Sequence, residues 1–227
     1  MPIDLVSFDL DGTLVDTAGE IAEAANRTLA SFGIAPRPFA QISGLIGAGA
    51  RELMRRLLVQ CSAELPQSIP ALSLDPVMER FDGFYAATLG SLAQPYAGCH
   101  ETLTRLKSAG VRLACVTNKE IRHTRAVLSA ARLGGYFDLS ISGDSLAQKK
   151  PHGAVLRHVL ATLQVDAVRA AHLGDSVTDV QAARNAGIAA WAVPYGYNAG
   201  QPIADAAPDR IFDTLPALAD YVLLQRG

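Results

Sequence analysis

Short apolar segments alternate with amphipathic stretches through the second half of the chain. The apolar segments are rich in branched side chains and have the length of buried strands, while the stretches between them have the apolar spacing of helices. This order predicts βαβ units, and hence a parallel sheet covered by helices on both faces. The predicted strands are residues 111–116, 139–142, 170–173 and 189–193, and the predicted helices are residues 101–108, 121–131, 153–163 and 177–186.

The first half of the chain has a different pattern. Residues 3–8 form a buried strand that runs into a loop, but no further strand is expected between residues 15 and 90. Helical spacing covers residues 17–32, 51–59 and 76–92, and Gly33 is a plausible stop for the first of these helices. We therefore expect an α/β fold: a doubly wound parallel sheet made of residues 1–14 and 91–227, with an all-helical cap domain inserted at residues 15–90.

Composition excludes several classes of partner. The chain has 227 residues with a formal net charge of −2, so no overall field favours nucleic acid or an anionic membrane surface. We expect no membrane span, since no apolar stretch approaches roughly 20 residues, and the first residues lack the pattern of a removable leader. Cys61, Cys99 and Cys115 are odd in number and widely spaced, which is typical of reduced thiols and predicts a cytoplasmic protein.

Polar side chains follow three of the predicted strands, at the point where each strand ends. In open parallel sheets, ligands bind outside the carboxyl ends of the strands. We therefore expect side chains more than 160 positions apart in the sequence to meet in one crevice. The three groups are Asp9 with Asp11, Thr117 with Asn118, and Asp175 with Asp179.

The carboxylates of these groups predict a metal site. If the first strand lies beside the strand that precedes Asp175, three carboxylates converge, and such a cluster of like charges is costly unless a cation occupies it. Hard oxygen ligands suit Mg²⁺, which also takes phosphate oxygens. A metal-bound phosphate group is the simplest interpretation.

Asp9 and Asp11 have the spacing of a nucleophile and a proton donor. Alternate residues of an extended segment point to the same side, so both carboxylates can lie near one ligand. Asp9 would attack phosphorus to form an aspartyl-phosphate, while Asp11 would protonate the leaving oxygen and then activate the hydrolytic water.

Other polar residues are suited to the phosphate oxygens. Thr117 and Asn118 can donate hydrogen bonds, and a lysine from the pair Lys149 and Lys150 can neutralise developing charge. Each motif also has a purely structural interpretation when taken alone. The Asp-Gly loop can be an ordinary turn, and the segment around Asp175 can cap the helix that begins near residue 177.

Four motifs occur together and in order: DLDGTLVD at 9–16, TN at 117–118, KKP at 149–151 and GDSVTD at 174–179. Together they resemble the motifs of haloacid-dehalogenase superfamily phosphatases over nearly the whole chain. The resemblance implies a Rossmann-like core with a helical cap and an Mg²⁺-dependent phosphatase that acts on a small phosphate ester.

The same resemblance implies a role for each motif residue. Asp9 is the nucleophile and Asp11 the acid and base, while Thr117 and Lys150 bind phosphate, with Asn118 beside them. The metal ligands are Asp9, Asp175 and the carbonyl of Asp11. Asp179 acts behind these ligands or through water.

Further segments are similar to the phosphoglycolate phosphatase branch: GDSLAQKKPHG at 143–153, AARNAG at 182–187 and PYGYNAG at 194–200. They imply hydrolysis of 2-phosphoglycolate. We expect the chain to be a monomer or homodimer. The alternatives are phosphotransfer like that of β-phosphoglucomutase, hydrolysis of another sugar phosphate or of pyrophosphate, and, more distantly, a non-catalytic module that binds a phosphorylated ligand.

Residues outside these motifs receive no catalytic role. The five histidines are scattered without the spacing of zinc ligands, which favours structural or surface roles. Arg51 follows a glycine-rich loop and could meet a substrate carboxylate, but a surface arginine is an equal interpretation. Tyr195 and Tyr197 are expected to pack near the end of the sheet.

Overall fold

The computed structural model describes residues 2–64 and 73–226, without the side chains of residues 62–64. Residues 65–72 of the predicted cap therefore lie outside the described residues. Within the described part, the strands are β1 (Leu5–Phe8), β2 (Val15–Asp16), β3 (Gln94–Pro95), β4 (Arg112–Val116), β5 (Leu139–Ile141), β6 (Ala170–Gly174), β7 (Ala189–Ala192) and β8 (Arg210–Ile211).

Nine α-helices are present in the same residues: α1 (Ala18–Ser31), α2 (Phe39–Ser43), α3 (Ala50–Glu64), α4 (Leu74–Thr88), α5 (Cys99–Ser108), α6 (Ile121–Ala130), α7 (Ala154–Leu163), α8 (Val177–Ala186) and α9 (Leu215–Leu224). Short 3₁₀ turns occur at Ala167–Arg169 and Ile203–Ala206. None of the helices in the described ranges is long and apolar enough to cross a membrane.

Six strands form one parallel sheet in the order β5-β4-β1-β6-β7-β8. Strand β1 is central, and the predicted pairing with the strand before Asp175 is confirmed, because Phe8 pairs with Leu173. Successive side chains of a strand point to opposite faces. Val6 accordingly packs among residues of α5, α6 and α9, while Leu5 packs among residues of α7 and α8 on the other face. The predicted α/β fold, with a doubly wound parallel sheet, is confirmed.

Helices α1 to α4 have an apolar core of their own. Ile21, Leu53, Phe81 and Tyr85 are buried together with other residues of these helices, in a cluster separate from the two that cover the sheet. Helices α1 and α4 pack side by side in this unit. The exact division into a core at 1–14 and 91–227 and a cap at 15–90 stays a prediction.

Several local expectations need correction. Residues 15 and 16 do form a strand, since β2 pairs antiparallel with β3 where the chain leaves and re-enters the sheet region. Sequence reasoning also missed α2, β8 and α9. The short elements have too few residues for a clear period, whereas α9 has a recognisable start: Thr214 accepts a hydrogen bond from the amide of Ala217, and Pro216 follows in the first turn.

The three cysteines are buried and unpaired. Cys115 lies in β4, and burial raises the pKa of its thiol. This arrangement agrees with the expected reduced thiols.

Candidate active site

The site lies at the carboxyl ends of the three adjacent strands β4, β1 and β6. Asp9 and Asp11 follow β1, Thr117 and Asn118 follow β4, and Asp175 follows β6 directly. The strand order thus brings together residues that are 166 positions apart in the sequence, Asp9 and Asp175. This is the edge at which the sequence predicted a crevice.

Three buried carboxylates form a compact cluster at this edge. One oxygen from each of Asp9, Asp175 and Asp179 lies within 4.8 Å of the others. The side chain of Asp11 lies outside this cluster, and the expected use of its carbonyl oxygen as a ligand stays a prediction. The three oxygens have the donor chemistry that a hard divalent cation prefers.

Glycines allow the backbone to approach Asp175 closely. A Cβ atom on Gly12 would lie 2.4 Å from Asp175 Oδ2, and one on Gly196 would lie 2.2 Å from the same atom. Gly12 also has a φ of +83°, which glycine adopts without strain. A Cβ on Gly174 would lie 2.2 Å from Cβ and Cγ of Asp179. The three positions leave no room for a side chain.

Asp175 is held by two hydrogen bonds. Thr13 Oγ1 donates to Oδ1 at 3.0 Å, and the amide of Tyr197 donates to Oδ2 at 2.7 Å. Burial raises the pKa of Asp175 well above its usual value, and the charges of Asp179 and Asp9 raise it further. A bound cation would offset this repulsion between the three carboxylates.

Lys150 is the cation at the centre of the cluster. Its Nζ lies 2.8 Å from Asp9 Oδ1 and 2.7 Å from Asp179 Oδ1, with the lysine side chain only 1% exposed. Burial would lower the pKa of Lys150, but the charges of Asp179 and Asp9 outweigh burial and raise it. The neighbouring Lys149 is exposed and donates to the carbonyl of Ala48. Of the two lysines left open by the residues alone, Lys150 is the one that reaches Asp9.

Asp9 is a buried carboxylate with a shifted pKa. Burial raises its pKa to about 6, although the charge of Lys150 opposes the rise. Lys150 contacts this carboxylate as an ion pair at 2.8 Å, and Asp9 Oδ1 is a buried atom with no further partner among the described residues. A carboxylate with a pKa near 6 is still ionised at neutral pH.

Asp179 is fixed from several sides. Its Oδ1 meets Lys150 and, at 3.2 Å, His172 Nε2, while its Oδ2 accepts from the hydroxyl and the amide of Ser176. Ser176 and Asp179 together form a capping box at the start of α8. Burial raises the pKa of Asp179, but Lys150 and then His172 lower it below its usual range. The capping interpretation of this motif is therefore confirmed, and its functional interpretation stays a prediction.

His172 lies in β6 behind the site. It is fully buried, and its Nδ1 lies 2.9 Å from the hydroxyl of Ser7, its neighbour in the sheet. Burial lowers the pKa of His172. The available sequence signal was a histidine in an otherwise apolar strand.

The side chain of Asp11 accepts hydrogen bonds from two residues that sequence reasoning did not select, Thr17 and Lys119. Thr17 donates to Asp11 Oδ1 at 2.6 Å, and Lys119 Nζ donates to Oδ2 at 2.9 Å. Lys119 is buried and lies 4.9 Å from the ring centroid of Tyr85 in α4. Burial would lower the pKa of Lys119, but the charge of Asp11 contributes to a net rise. In the sequence, the position of Lys119 directly after Thr117 and Asn118 could have identified it as a site residue.

A pocket lies between the sheet edge and helices α1, α3 and α4. Asp9, Asp11, Thr117, Asn118 and Lys119 line it from the sheet side. From the helical side come a glycine-rich loop and a largely apolar surface, which includes Ile21, Ile46, Gly47, Gly49, Leu53, Phe81 and Tyr85.

Asn118 connects the two sides of the pocket. Its Nδ2 donates to the carbonyl of Gly47 at 3.2 Å and to the carbonyl of Lys150 at 3.0 Å. Thr117 Oγ1 accepts from the amide of Lys119, which leaves its hydroxyl proton for another partner. The hydroxyl proton of Thr117 is therefore available to a ligand, whereas the side-chain amide of Asn118 donates to two backbone carbonyls.

Other residues considered from the sequence lie elsewhere. Arg51 is exposed and pairs with Asp75. It is not among the described residues that line the pocket. Tyr197 does pack near the end of the sheet, and its hydroxyl also donates to Asp16 Oδ1 at 2.6 Å. Among the histidines, His123 lines the pocket, with Nδ1 3.7 Å from Glu120 Oε2.

Comparison with known proteins identifies relatives over almost the whole chain. The model of the haloacid dehalogenase-like hydrolase family matches residues 6–193. A plasmid-encoded phosphoglycolate phosphatase of Cupriavidus necator is 42% identical over 219 residues, which are 96% of this chain and 92% of that protein.

Solved structures agree with this similarity. A predicted phosphoglycolate phosphatase from Haemophilus somnus 129PT superposes with a TM-score of 0.91 at 30% identity, over 98% of each chain. CbbY from Rhodobacter sphaeroides, in complex with phosphate, superposes with a TM-score of 0.78 at 26% identity, over 94% of this chain and 95% of that one. The chain belongs to the family of haloacid dehalogenase-like hydrolases.

Proposed function

We propose that this chain is an Mg²⁺-dependent phosphatase that hydrolyses 2-phosphoglycolate to glycolate and phosphate through an aspartyl-phosphate on Asp9. The observation that carries the proposal is the buried Asp9 carboxylate, which has Lys150 at 2.8 Å and two further carboxylates within reach. Relatives named phosphoglycolate phosphatase cover nearly the full chain, which supports this choice of ester.

The residues suited to hold Mg²⁺ are Asp9, Asp175 and the carbonyl of Asp11. Three observations support the fit of Mg²⁺ to these residues: the buried carboxylate cluster, the glycines that pack against Asp175, and the raised pKa of Asp175. Asp179 would act behind these ligands, because Lys150, His172 and Ser176 already occupy both of its oxygens. When bound, Mg²⁺ would offset the negative charge of the phosphate and of the carboxylates around it.

Asp9 and Asp11 divide the chemistry between them. An oxygen of Asp9 forms a bond to phosphorus while the bond from phosphorus to the ester oxygen breaks, and Asp11 donates a proton to that leaving oxygen. Asp11 then accepts a proton from water as the water oxygen attacks phosphorus and frees Asp9. Thr117 donates to a phosphate oxygen, and Lys150 neutralises charge beside Asp9.

The helical unit would exclude bulk water from this reaction. Its residues form one wall of the pocket, and Glu20 of α1 accepts hydrogen bonds from the amides of Leu92 and Ala93, where the chain returns toward the sheet. We propose that residues 15–90 act as a cap domain on a core of residues 1–14 and 91–227. Closure of such a cap protects the aspartyl-phosphate and completes the site.

The cytoplasm is the proposed compartment, and a small phosphate ester is the proposed partner. Three buried cysteines without disulfide bonds are typical of a reducing environment. Among its described lining residues, the pocket has a single lysine, Lys119, beside acidic and apolar side chains, which does not suit a nucleic-acid backbone.

Phosphate release with Mg²⁺ tests the proposal, with 2-phosphoglycolate, glucose phosphates and pyrophosphate as substrates. Asp9→Asn should abolish turnover, because an amide is not a nucleophile of comparable strength, whereas the exposed Asp205→Asn is the matched control. Full activity in Asp9→Asn would refute the mechanism. Isomerised glucose phosphate without free phosphate would show phosphotransfer instead.

A further inference from the structure

Lys119 has features that the proposed chemistry does not use. Its side chain is only 5% exposed, and it lines the same pocket as Asp9 and Asp11. An ammonium group has three N–H donors, and Asp11 accepts one of them at 2.9 Å. The face of Tyr85 lies beside the group at 4.9 Å. The remaining N–H groups of Lys119 can donate to an anion in the pocket, and burial strengthens such a charged hydrogen bond.

The pocket offers no equivalent cation at this position. Among the described lining residues, Lys119 is the one with a permanently charged cationic side chain. Lys150 is committed to Asp9 and Asp179 at the metal cluster, and Arg51 is exposed and pairs with Asp75.

His123 is a weaker candidate for an anion. Its ring nitrogens lie 3.7 Å from a carboxylate on each side, Asp82 Oδ1 and Glu120 Oε2. These two negative groups disfavour a third anion next to the ring.

We propose that Lys119 determines specificity by binding the carboxylate of the substrate, so that the enzyme selects phosphate monoesters of small acids over neutral esters of the same size. This inference rests on the proposed phosphatase function and extends it. The phosphate lies at Asp9, and the acid group of the same small molecule reaches Lys119, which then serves both that group and Asp11.

Two esters isolate the effect of the carboxylate. 2-Phosphoglycolate and ethyl phosphate both release a primary alkoxide with two carbons, but ethyl phosphate carries a methyl group in place of the carboxylate. Wild-type protein with Mg²⁺ should have a higher kcat/KM for 2-phosphoglycolate. A charged hydrogen bond of this kind corresponds to a preference of roughly 10- to 100-fold.

Substitutions then assign that preference to Lys119. Lys119→Met keeps the length of the side chain and should remove most of the preference, chiefly through KM for 2-phosphoglycolate. Lys119→Arg should retain it, because the charge remains. The control is Lys107→Met, an exposed lysine of α5 that donates to the carbonyls of Gly135 and Tyr136.

The outcomes separate the two proposals. If Lys119→Met lowers kcat/KM for both esters by the same factor, the lysine only positions Asp11 and the inference is wrong. A wild-type protein that hydrolyses both esters equally well also overturns it, and this measurement does not depend on the folding of any variant. If wild type hydrolyses neither ester, the proposed function itself fails.

Discussion

Gly196→Ala is expected to disable the site by displacing Asp175. The added Cβ would lie 2.2 Å from Cβ and Oδ2 of Asp175, whereas ordinary contacts begin at 3.4 Å. The carboxylate or the loop must therefore move by about 1 Å. Such a shift would also disturb the 2.7 Å hydrogen bond from the amide of Tyr197, the next residue in the chain.

The magnitude follows from these distances. A displacement of about 1 Å in a catalytic array costs on the order of 100-fold in rate. Overpacking of a filled position costs roughly 1–3 kcal/mol in the free energy of unfolding, which lowers Tm by a few degrees in a chain of this size. We therefore expect a folded but nearly inactive protein.

The assay is phosphate release as a function of Mg²⁺ concentration, together with thermal unfolding. Gly134→Ala is the matched control, because a Cβ at that exposed position meets no atom within 4 Å. The control should keep wild-type rates. A Gly196→Ala protein with activity within threefold of wild type would show that the site does not depend on this close approach.

Three further predictions concern charge and hydrogen bonding. Lys150→Met should lower the free energy of unfolding by about 3–5 kcal/mol, because Asp9 and Asp179 lose their buried cation. A change below about 1 kcal/mol in denaturant unfolding would contradict this expectation. In EDTA, the contribution of Asp9 to the free energy of unfolding should fall by up to about 3 kcal/mol as pH rises from 4 to 7, because the pKa of Asp9 is raised from 3.8 to about 6 and the folded state loses its extra proton in this window. Urea titrations at each pH should show wild type losing this amount of stability relative to Asp9→Asn, since both proteins share the other titrating groups. Tyr197→Phe should cost about 1–2 kcal/mol, measured by thermal unfolding, since the amide of Thr17 donates to this hydroxyl at 2.8 Å; an unchanged Tm would count against that role.

The long elements were predictable because their periods are local. The helix expected at residues 177–186 matches α8, and the strand expected at 170–173 matches β6 apart from its last residue. Two-residue strands such as β2 and β8 form because a neighbouring strand supplies hydrogen-bond partners. They are too short to show an alternation of apolar and polar residues, so the sequence does not predict them.

Site residues divide in a similar way. Asp9 and Asp11 were identifiable because they follow a buried strand at a spacing of two. Lys119 was not, because its significance depends on Asp11, which is 108 positions away. The environment of Asp179 likewise depends on His172 and Lys150 together.

The sequence by itself determined the alternation of strands and helices, the order of the four motifs and the chemical types of their side chains, since these follow from residue spacing and composition. Only the tertiary structure decided which charges are paired. The sheet order β5-β4-β1-β6 places Lys119, which follows β4, beside Asp11, and Lys150, which follows β5, reaches Asp9 at the same edge of the sheet. The physical reason is that a buried charge is destabilising unless an opposite charge lies next to it. The packing of the sheet, and not proximity in the chain, determines which opposite charge lies there.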